Sequence, residues 1–313
     1  KAKKVKSEVS RILLQGGAYV GFSGEPLNEQ QLRRREAAIR GQLIAAKFPK
    51  AAKAAIKIIG AAEIARWVNS HISAIVFVHS RTGSANLANV KTWREWENET
   101  DTSLPFVDDM KRAKIRESLQ KVLAGPQVCA RVAGFSGVGK SRFAMELFRE
   151  GADTDHFFYS RVAYISSGDN LPDPDGLFNS FVRGGVSGLI VVDDCPLELH
   201  NRLEPIVTGK LSKLSLLTLD HDPSSQPRNG HFFNLSPLPY NALRSILLTA
   251  DPKLGGRQID IIAEWAEGFP EMVRLLLSAV REGVEVWELG DDELVSKLTA
   301  PRKTPLSSRT KEC

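Results

Sequence analysis

Short apolar runs alternate with segments that favour helices through most of this 313-residue chain. Each run has the length and composition of a β-strand. Strands that alternate with helices in this way predict a parallel or mixed α/β sheet. The predicted strands lie at residues 18–23, 54–59, 74–78, 128–133, 162–166, 188–193 and 215–219. The predicted helices between them include residues 5–14, 28–44, 61–68, 110–123 and 142–149.

The pattern changes after residue 237, where helical segments follow one another without strands between them. They lie at residues 240–249, 257–267, 271–282 and 291–298. A polar stretch at residues 79–103 is typical of a domain boundary, and we expect its Trp93 and Trp96 to pack on a domain surface. Pro172 and Pro174 predict a loop at residues 171–176. Residues 301–313 are polar and contain two prolines, so we expect them to be disordered.

Residues 134–141 read GFSGVGKS and match the phosphate-binding pattern G-x-x-x-x-G-K-[ST] at every fixed position. A predicted strand precedes the motif and a predicted helix follows it, which is the context that this chemistry requires. Glycines let the backbone wrap a phosphate group with its N–H groups pointing inward, and the helix N-terminus faces the anion. The predicted phosphate-binding residues are Gly134, Gly137, Val138, Gly139, Lys140, Ser141 and Arg142.

A pair of carboxylates, Asp193 and Asp194, ends the apolar run at residues 189–192. Such a run suits a strand that is buried on both faces of a parallel sheet. We predict that Asp193, together with Ser141, holds a magnesium ion, mostly through water. Asp194 is then the group that polarises the attacking water, and Lys140 is the second predicted catalytic residue.

These motifs predict an α/β fold class with a doubly wound parallel-sheet P-loop NTPase domain, followed by a small helical domain and preceded by a small α/β module. The predicted boundaries are a basic module at residues 1–92, a linker at 93–105, the nucleotide-binding domain at 106–235, the helical domain at 236–299 and the tail at 300–313.

Charge is unevenly distributed along the chain. Residues 1–60 carry thirteen Lys or Arg against four Glu, whereas the whole chain has a net charge of +5. A basic module joined to a mildly acidic domain suggests that the first part contacts a polyanion such as DNA. The alternative is a solvated basic helix face without a ligand.

Composition fits a cytoplasmic protein with two or three domains, since 42% of the residues are hydrophobic and no apolar stretch approaches the length that crosses a bilayer. The three cysteines, Cys129, Cys195 and Cys313, are widely spaced and predict reduced thiols rather than a metal site. The chain begins at Lys1 rather than at methionine, from which we expect a piece of a longer protein.

The glycine loop, the two aspartates and a Gly268-Phe269-Pro270 triplet between two predicted helices together resemble the signal-transducing NTPases of the STAND class, relatives of the AAA+ ATPases. The resemblance covers residues 106–298. It implies ATP and Mg²⁺ as ligands and a nucleotide-dependent homo-oligomer. It also implies that Pro270 lies over the nucleotide and couples its identity to domain rotation.

One departure from the family pattern concerns hydrolysis. Members of the family commonly carry an arginine or similar polar sensor after the fourth strand, where this chain has Thr218, Asp220 and Asp222. Thr218 is able to bond to phosphate, but the two aspartates would repel it unless a cation intervened. We therefore expect slow hydrolysis, or hydrolysis assembled only with a partner. The winged-helix domain and repeat-built sensor of the family are not found before Cys313.

The N-terminal region carries a second resemblance. Residues 17–24 (GAYVGFSG), the basic helix after them, and residues 56–59 (IKII) and 61–65 (AAEIA) are similar to the C-terminal half of Mrr-like restriction endonuclease domains. In that fold the metal-binding acids precede this half. Glu8 is the only acidic residue before Gly17, so no nuclease site is assigned.

The leading hypothesis is an ATP-binding switch that hydrolyses ATP slowly, in a bacterial antiviral defence or regulatory system. The alternative is a nucleic-acid-binding module, a nuclease remnant, in which nucleotide has a structural role. A small-molecule kinase is a third and more remote reading. The sequence lacks the N/T-K-x-D element that guanine specificity usually needs, which favours ATP.

Overall fold

The computed structural model describes residues 6–82, 87, 89–149, 159–166 and 171–290. Two sheets and a group of helices account for the regular structure of those residues. The helix predicted at 291–298 and the tail predicted at 301–313 lie outside them. The predicted α/β class is confirmed, with a mostly parallel sheet at its centre.

A small α/β unit forms the N-terminal part. It contains two parallel strands, paired from Ala18 with Ala55 to Phe22 with Ile59, with a basic helix between them. That helix is fixed at its start by a reciprocal pair of hydrogen bonds between Asn28 and Gln31, both 2.9 Å. The elements are α1 (Ser7–Leu14), β1 (Ala18–Phe22), α2 (Glu29–Ala45), β2 (Ala55–Ile59) and α3 (Ala61–Asn69).

The main sheet has six strands in the order β3-β5-β6-β7-β4-β8, and all neighbours are parallel except β3 and β5. Because β4 lies between strands that follow it in the sequence, its carboxyl end opens into a crevice where ligands bind in doubly wound sheets. The strands are β3 (Val90–Thr92), β4 (Cys129–Ala133), β5 (Val162–Ser166), β6 (Ser187–Asp193), β7 (Lys213–Asp220) and β8 (His231–Asn234).

Helices cover both faces of this sheet, which makes it doubly wound. Side chains alternate along each strand, so that Ile190 packs into the core on one face and Val191 into the core on the other. One face is covered by α4 (Ile72–Thr82), α8 (Pro174–Arg183) and α9 (Leu197–Val207). The other is covered by α5 (Trp93–Glu99), α6 (Met110–Leu123) and α7 (Lys140–Glu146).

The strand predicted at residues 74–78 is wrong, because these residues lie within α4. Ile72, Ile75 and Val76 are buried whereas Phe77 and Val78 are exposed, which is the spacing of a helix with one buried face. A short apolar run does not by itself distinguish a strand from a buried helix. Ile72, at the start of α4, is fully buried in the core under the main sheet.

The predicted module at 1–92 and linker at 93–105 also need correction. Strand β3 belongs to the main sheet and α5 packs on it, so the unit built on this sheet begins well before residue 106. Trp93 and Trp96 are buried in its core rather than packed on a surface. Trp96 stacks on Tyr164 with 4.3 Å between ring centroids, and Trp93 Nε1 donates to the Met145 carbonyl at 3.3 Å.

The loop predicted at residues 171–176 ends earlier than expected, because α8 begins at Pro174. Proline suits a first helical turn, where its missing N–H has no intrahelical partner. Asp173 caps the helix by accepting the N–H of Gly176 at 2.9 Å.

Three helices after the sheet form a helical domain with a core of its own. They are α10 (Tyr240–Ala250), α11 (Gly256–Ala266) and α12 (Pro270–Arg281). Leu104 and Val107, from the segment that precedes α6, pack against the same core. That segment and the helical domain therefore meet at the carboxyl edge of the main sheet.

Candidate phosphate-binding site

The glycine loop connects the end of β4 to the start of α7 and lies at the carboxyl edge of the sheet. Gly137 and Gly139 have φ values of 76° and 93°, in the left-handed region that glycine adopts without strain. A Cβ atom on Gly137 would lie 3.2 Å from the Cβ of Glu271, so the loop is closely packed as well as tightly turned. Val138 is fully buried, and its N–H donates to the carbonyl of Phe135 at 3.3 Å.

Lys140 is held inside this loop. Its Nζ donates to the carbonyl oxygens of Gly134 at 2.9 Å and Phe135 at 3.0 Å, and only 8% of the residue is exposed. Burial lowers the pKa of the amine, and the negative charges of Asp193 and Asp194 act in the opposite direction. The ammonium group is thus placed among the loop carbonyls at the position where the motif puts a phosphate.

Ser141 and Asp193 meet beside the loop. The Ser141 hydroxyl donates to Oδ2 of Asp193 at 2.5 Å, and the Tyr164 hydroxyl donates to the same oxygen at 2.9 Å. Burial raises the pKa of Asp193, and these two hydrogen bonds lower it. Tyr164 was not predicted from the sequence. It lies on β5, the parallel neighbour of β6, and is paired with Val191, two positions before Asp193.

The oxygens of Ser141 and Asp193 fit a magnesium ion. No group of three His, Cys, Asp or Glu side chains capable of holding a metal is found among the described residues. Magnesium does not need such a group, since it is usually bound through one or two carboxylates, several waters and the phosphates of a nucleotide.

Asp194 is exposed next to the buried Asp193 and has a φ of 45°, which is uncommon for a residue with a side chain. Hydrogen bonds on both sides hold this conformation. The N–H of Asp194 donates to Oδ1 of Asp193 at 3.0 Å, and the N–H of Cys195 donates to the carbonyl of Leu219 at 2.9 Å. The backbone therefore turns sharply at the end of β6, where Asp194 is exposed.

A fully buried arginine ties the strand ends together. Arg131 on β4 forms an ion pair with Asp220 at the end of β7. It also donates to the carbonyl of Cys195 at 3.0 Å, to the carbonyl of Ser225 at 2.9 Å and to the Thr218 hydroxyl at 3.2 Å. The sequence left open whether a cation offsets the charge of Asp220, and Arg131 is that cation.

The suggestion that Thr218 bonds to phosphate is wrong. Thr218 is fully buried, and its hydroxyl lies 2.7 Å from Nδ1 of His200 as well as within reach of Arg131. Burial lowers the pKa of His200 to about 4, so the imidazole is neutral at pH 7. Asp222 is exposed and accepts hydrogen bonds from the backbone and hydroxyl of Ser224.

The Gly268-Phe269-Pro270 triplet lies against the glycine loop. A Cβ atom on Gly268 would lie 2.5 Å from Pro237 and 2.7 Å from the Leu238 carbonyl, so the close approach of two backbones requires glycine here. Pro270 begins α12, and the next N–H, that of Glu271, donates to the carbonyl of Gly137 at 3.3 Å. The helical domain therefore contacts the loop directly.

A cavity of about 440 Å³ lies between the loop, the segment before α6 and the helical domain. Its volume is within the range of about 300–1,000 Å³ that small-molecule sites occupy. Arg142 lines it and is paired with Glu146 at 2.7 Å; Arg274 lines it and lies 3.7 Å from Asp101. The apolar part of the lining comprises Leu104, Pro105, Phe106, Val107, Leu238, Ile246 and Pro270.

No protein-family model matches this chain, and no curated protein sequence matches it. Several solved structures are similar. A STAND (Signal Transduction ATPase with Numerous Domains) protein with a tetratricopeptide repeat sensor, from Pyrococcus horikoshii, is 14% identical with a TM-score of 0.39, over 63% of this chain and 33% of that protein. Drosophila ORC bound to DNA is 13% identical with a TM-score of 0.44, and the match covers 62% of this chain and 61% of that one. AMPPCP-bound DnaA from Aquifex aeolicus is 15% identical with a TM-score of 0.41, and the match covers 61% of this chain and 68% of that one.

The chain thus covers a third of the archaeal protein and less than two thirds of the Drosophila one. Separately, none of the helices among the described residues has the length and apolar character needed to span a membrane.

Replacing Asp220 by Asn should destabilise the α/β unit by about 3–5 kcal/mol, because it leaves the buried charge of Arg131 unpaired. Urea unfolding measures this change. The control is Glu117→Gln, which removes an exposed ion pair with Lys121 on α6. We expect no measurable change in the control. Equal midpoints for the two variants would show that the buried pair contributes nothing to stability.

Proposed function

We propose that this protein is an ATP-binding switch that hydrolyses ATP slowly. The observation that carries the proposal is the convergence of Lys140, Ser141 and Asp193 on one glycine loop, at the mouth of a cavity that the helical domain closes. Pro270 lies at the same loop. The arrangement supplies a cation for phosphate, two oxygens for magnesium and a contact from the helical domain in one place.

Nucleotide binding would replace the internal partners of the loop. Lys140 would exchange one or both carbonyl oxygens for phosphate oxygens, and the N–H groups at the start of α7 would face the same anion. When bound, Mg²⁺ would offset negative charge on the phosphates, with Ser141 and Asp193 as its protein ligands. Because burial raises the pKa of Asp193, a cation beside it would stabilise its ionised form.

The hydrolytic step would use Asp194 to orient and polarise water, since its carboxylate is exposed beside the buried Asp193. Three arginines in or near the cavity are already paired with carboxylates, and a fourth, Arg112, donates to two carbonyl oxygens. Arg131 is buried with Asp220, Arg142 is paired with Glu146, and Arg274 with Glu271. Slow hydrolysis follows, unless a partner supplies a further cation.

The apolar lining of the cavity, which includes Phe106 and Ile246, suits a purine base. The absence of the guanine-reading element from the sequence favours ATP over GTP. The contact between Glu271 and Gly137 would let the occupant of the loop change the position of the helical domain. By analogy with the STAND-class NTPases that its motifs resemble, we propose that this switch acts in signal transduction, in a bacterial defence or regulatory system, as a homo-oligomer.

The Lys140→Ala variant should bind a fluorescent ATP analogue with Mg²⁺ more than about 100-fold more weakly than the unmodified chain. The variant would lose the two charge-assisted hydrogen bonds that the Lys140 ammonium would donate to phosphate oxygens, each worth about 1.5–3 kcal/mol. Fluorescence anisotropy measures the affinity, with GTP as competitor. The control is Lys210→Ala, an exposed lysine just before β7, at the opposite edge of the sheet. Unchanged affinity in Lys140→Ala would remove the loop from nucleotide binding.

The Asp194→Asn variant should keep its affinity for ATP and lose about 10²–10⁴-fold in turnover, because the amide does not act as a base toward water. Phosphate release under single-turnover conditions measures the rate. Asp175→Asn on α8, which removes an exposed carboxylate paired with Arg202, is the control for the loss of negative charge. Turnover of Asp194→Asn at the unmodified rate would exclude Asp194 from the mechanism.

A second candidate function is DNA binding by the N-terminal unit, with nucleotide in a structural role. Part of its basic charge is internally paired, as in the ion pairs Arg33–Glu29, Arg35–Glu25 and Lys57–Glu63. The observation that favours a polyanion is an exposed cluster in the connection between α2 and β2, formed by Lys47, Lys50 and Lys53.

Affinity of the whole chain for duplex DNA should fall steeply with added salt, because each phosphate contact releases condensed counterions. Simultaneous replacement of Lys47, Lys50 and Lys53 by Gln should reduce the slope of log K against log[salt] by about 1 for each lysine that meets a phosphate. Replacing the three paired residues Arg33, Arg35 and Lys57 by Gln is the matched control, since it removes the same number of charges. No binding at low salt would leave the basic face as a solvated surface.

A further inference from the structure

Arg112 is a buried cation at the candidate site that the mechanism above does not use. It is the third residue of α6, whose start is capped by Asp109 through hydrogen bonds of 2.7 Å and 2.8 Å to the N–H groups of Lys111 and Arg112. Only 3% of Arg112 is exposed, yet it lines the same cavity as the glycine loop. Nothing in the sequence pattern distinguished it from the other basic residues of a charged helix.

One nitrogen of Arg112 connects two parts of the molecule. Its Nη2 donates to the carbonyl of Val138 at 3.0 Å and to the carbonyl of Ser236 at 2.9 Å. Val138 belongs to the glycine loop. Ser236 belongs to the short connection between β8 and α10, which carries the helical domain. The same guanidinium therefore holds the phosphate loop and the base of the helical domain together.

The charge of Arg112 is poorly compensated where it lies. The hydrogen bonds found for its guanidinium in the described structure go to carbonyl oxygens, and Nε is buried without a partner there. Asp109 is engaged as the helix cap, and Asp108 lies 2.7 Å from Nε of Arg116. Burial lowers the pKa of Arg112 to about 10, which leaves it charged at neutral pH. A buried cation of this kind is stabilised by an anion in the adjoining cavity.

We propose that Arg112 is a positioning residue that makes nucleotide binding at the glycine loop and the seating of the helical domain depend on each other. The proposal rests on the function proposed above.

The physical basis is the position of the guanidinium between loop, connection and cavity. Its Nη1 lies 3.8 Å from where a Cβ of Gly139 would be, and Pro270 lies 3.9 Å from the same point. Phosphate in the loop would stabilise the buried, charged guanidinium and with it the hydrogen bond to the Ser236 connection. By thermodynamic linkage, a helical domain that is seated on the loop raises the affinity for nucleotide by the same factor.

The test compares Arg112→Gln with the unmodified chain. Glutamine keeps a side-chain N–H donor and removes the charge. Lys114→Gln, an exposed residue on the same helix, is the control for charge removal, and Lys140→Ala reports on the phosphate loop itself. The measurements are the affinity for the fluorescent ATP analogue with Mg²⁺ and the hydrogen-exchange protection of residues 236–246 with and without ATP. The melting temperature is recorded for each variant.

We expect Arg112→Gln to bind the analogue about tenfold more weakly, within the usual span of coupling between sites, and to lose the protection that ATP gives to residues 236–246. Arg112→Lys keeps the charge without the planar guanidinium. Its affinity and its nucleotide-dependent protection should lie between those of Arg112→Gln and the unmodified chain. A purely structural role would lower the melting temperature of Arg112→Gln and leave affinity and nucleotide-dependent protection unchanged. That result would overturn the proposal.

If Arg112→Gln does not fold, the same measurements are made on Arg112→Lys. An affinity and a nucleotide-dependent protection equal to those of the unmodified chain would then overturn the proposal. If the unmodified chain binds no nucleotide, the proposed function itself fails. That outcome is distinct from normal binding with no effect at Arg112.

Discussion

The carboxyl edge of the main sheet depends on one buried ion pair, between Arg131 and Asp220. A guanidinium in the interior of a sheet is tolerated only when a counter-charge and further acceptors surround it, and here it meets a carboxylate, two hydroxyls and two carbonyls. Those partners come from the ends of β6 and β7 and from the turn that follows β7. The strand ends on which the candidate site is built are therefore fixed relative to β4, from which the glycine loop begins.

Lys140 and Asp193 already have hydrogen-bond partners within the protein. The ammonium of Lys140 bonds to loop carbonyls, and the carboxylate of Asp193 accepts from Ser141 and Tyr164. Binding would exchange these contacts for others, so net affinity would depend on the difference between the two sets rather than on the new contacts alone. Residues held in this way lose little further freedom when a ligand arrives, which favours binding to a loop that is already shaped.

Prediction from sequence succeeded where the signal is local. The glycine loop, the strand that ends in Asp193 and the first turn of α12 at Pro270 each follow from a few neighbouring residues. It failed where the partner is distant along the chain. Tyr164 reaches Asp193 only because β5 and β6 pair in one register. Arg131 is stable inside the sheet only because Asp220, 89 positions later, lies beside it. The strand predicted at 74–78 failed for a related reason, since its apolar run is buried by tertiary packing as a helix.

The positions of α4 and β3 determine where the chain can be shortened at its N-terminal side without disrupting the main sheet. Ile72 lies fully buried beneath the main sheet, and β3 forms its outermost antiparallel strand. A truncated chain that began at residue 106 would remove that strand, uncover the edge of β5 and strip one layer from the hydrophobic core. Unpaired edges with apolar surface beside them promote aggregation. The smallest unit that is able to fold alone therefore starts before Ile72, so a recombination or proteolytic break that preserved the candidate site would have to fall before α4.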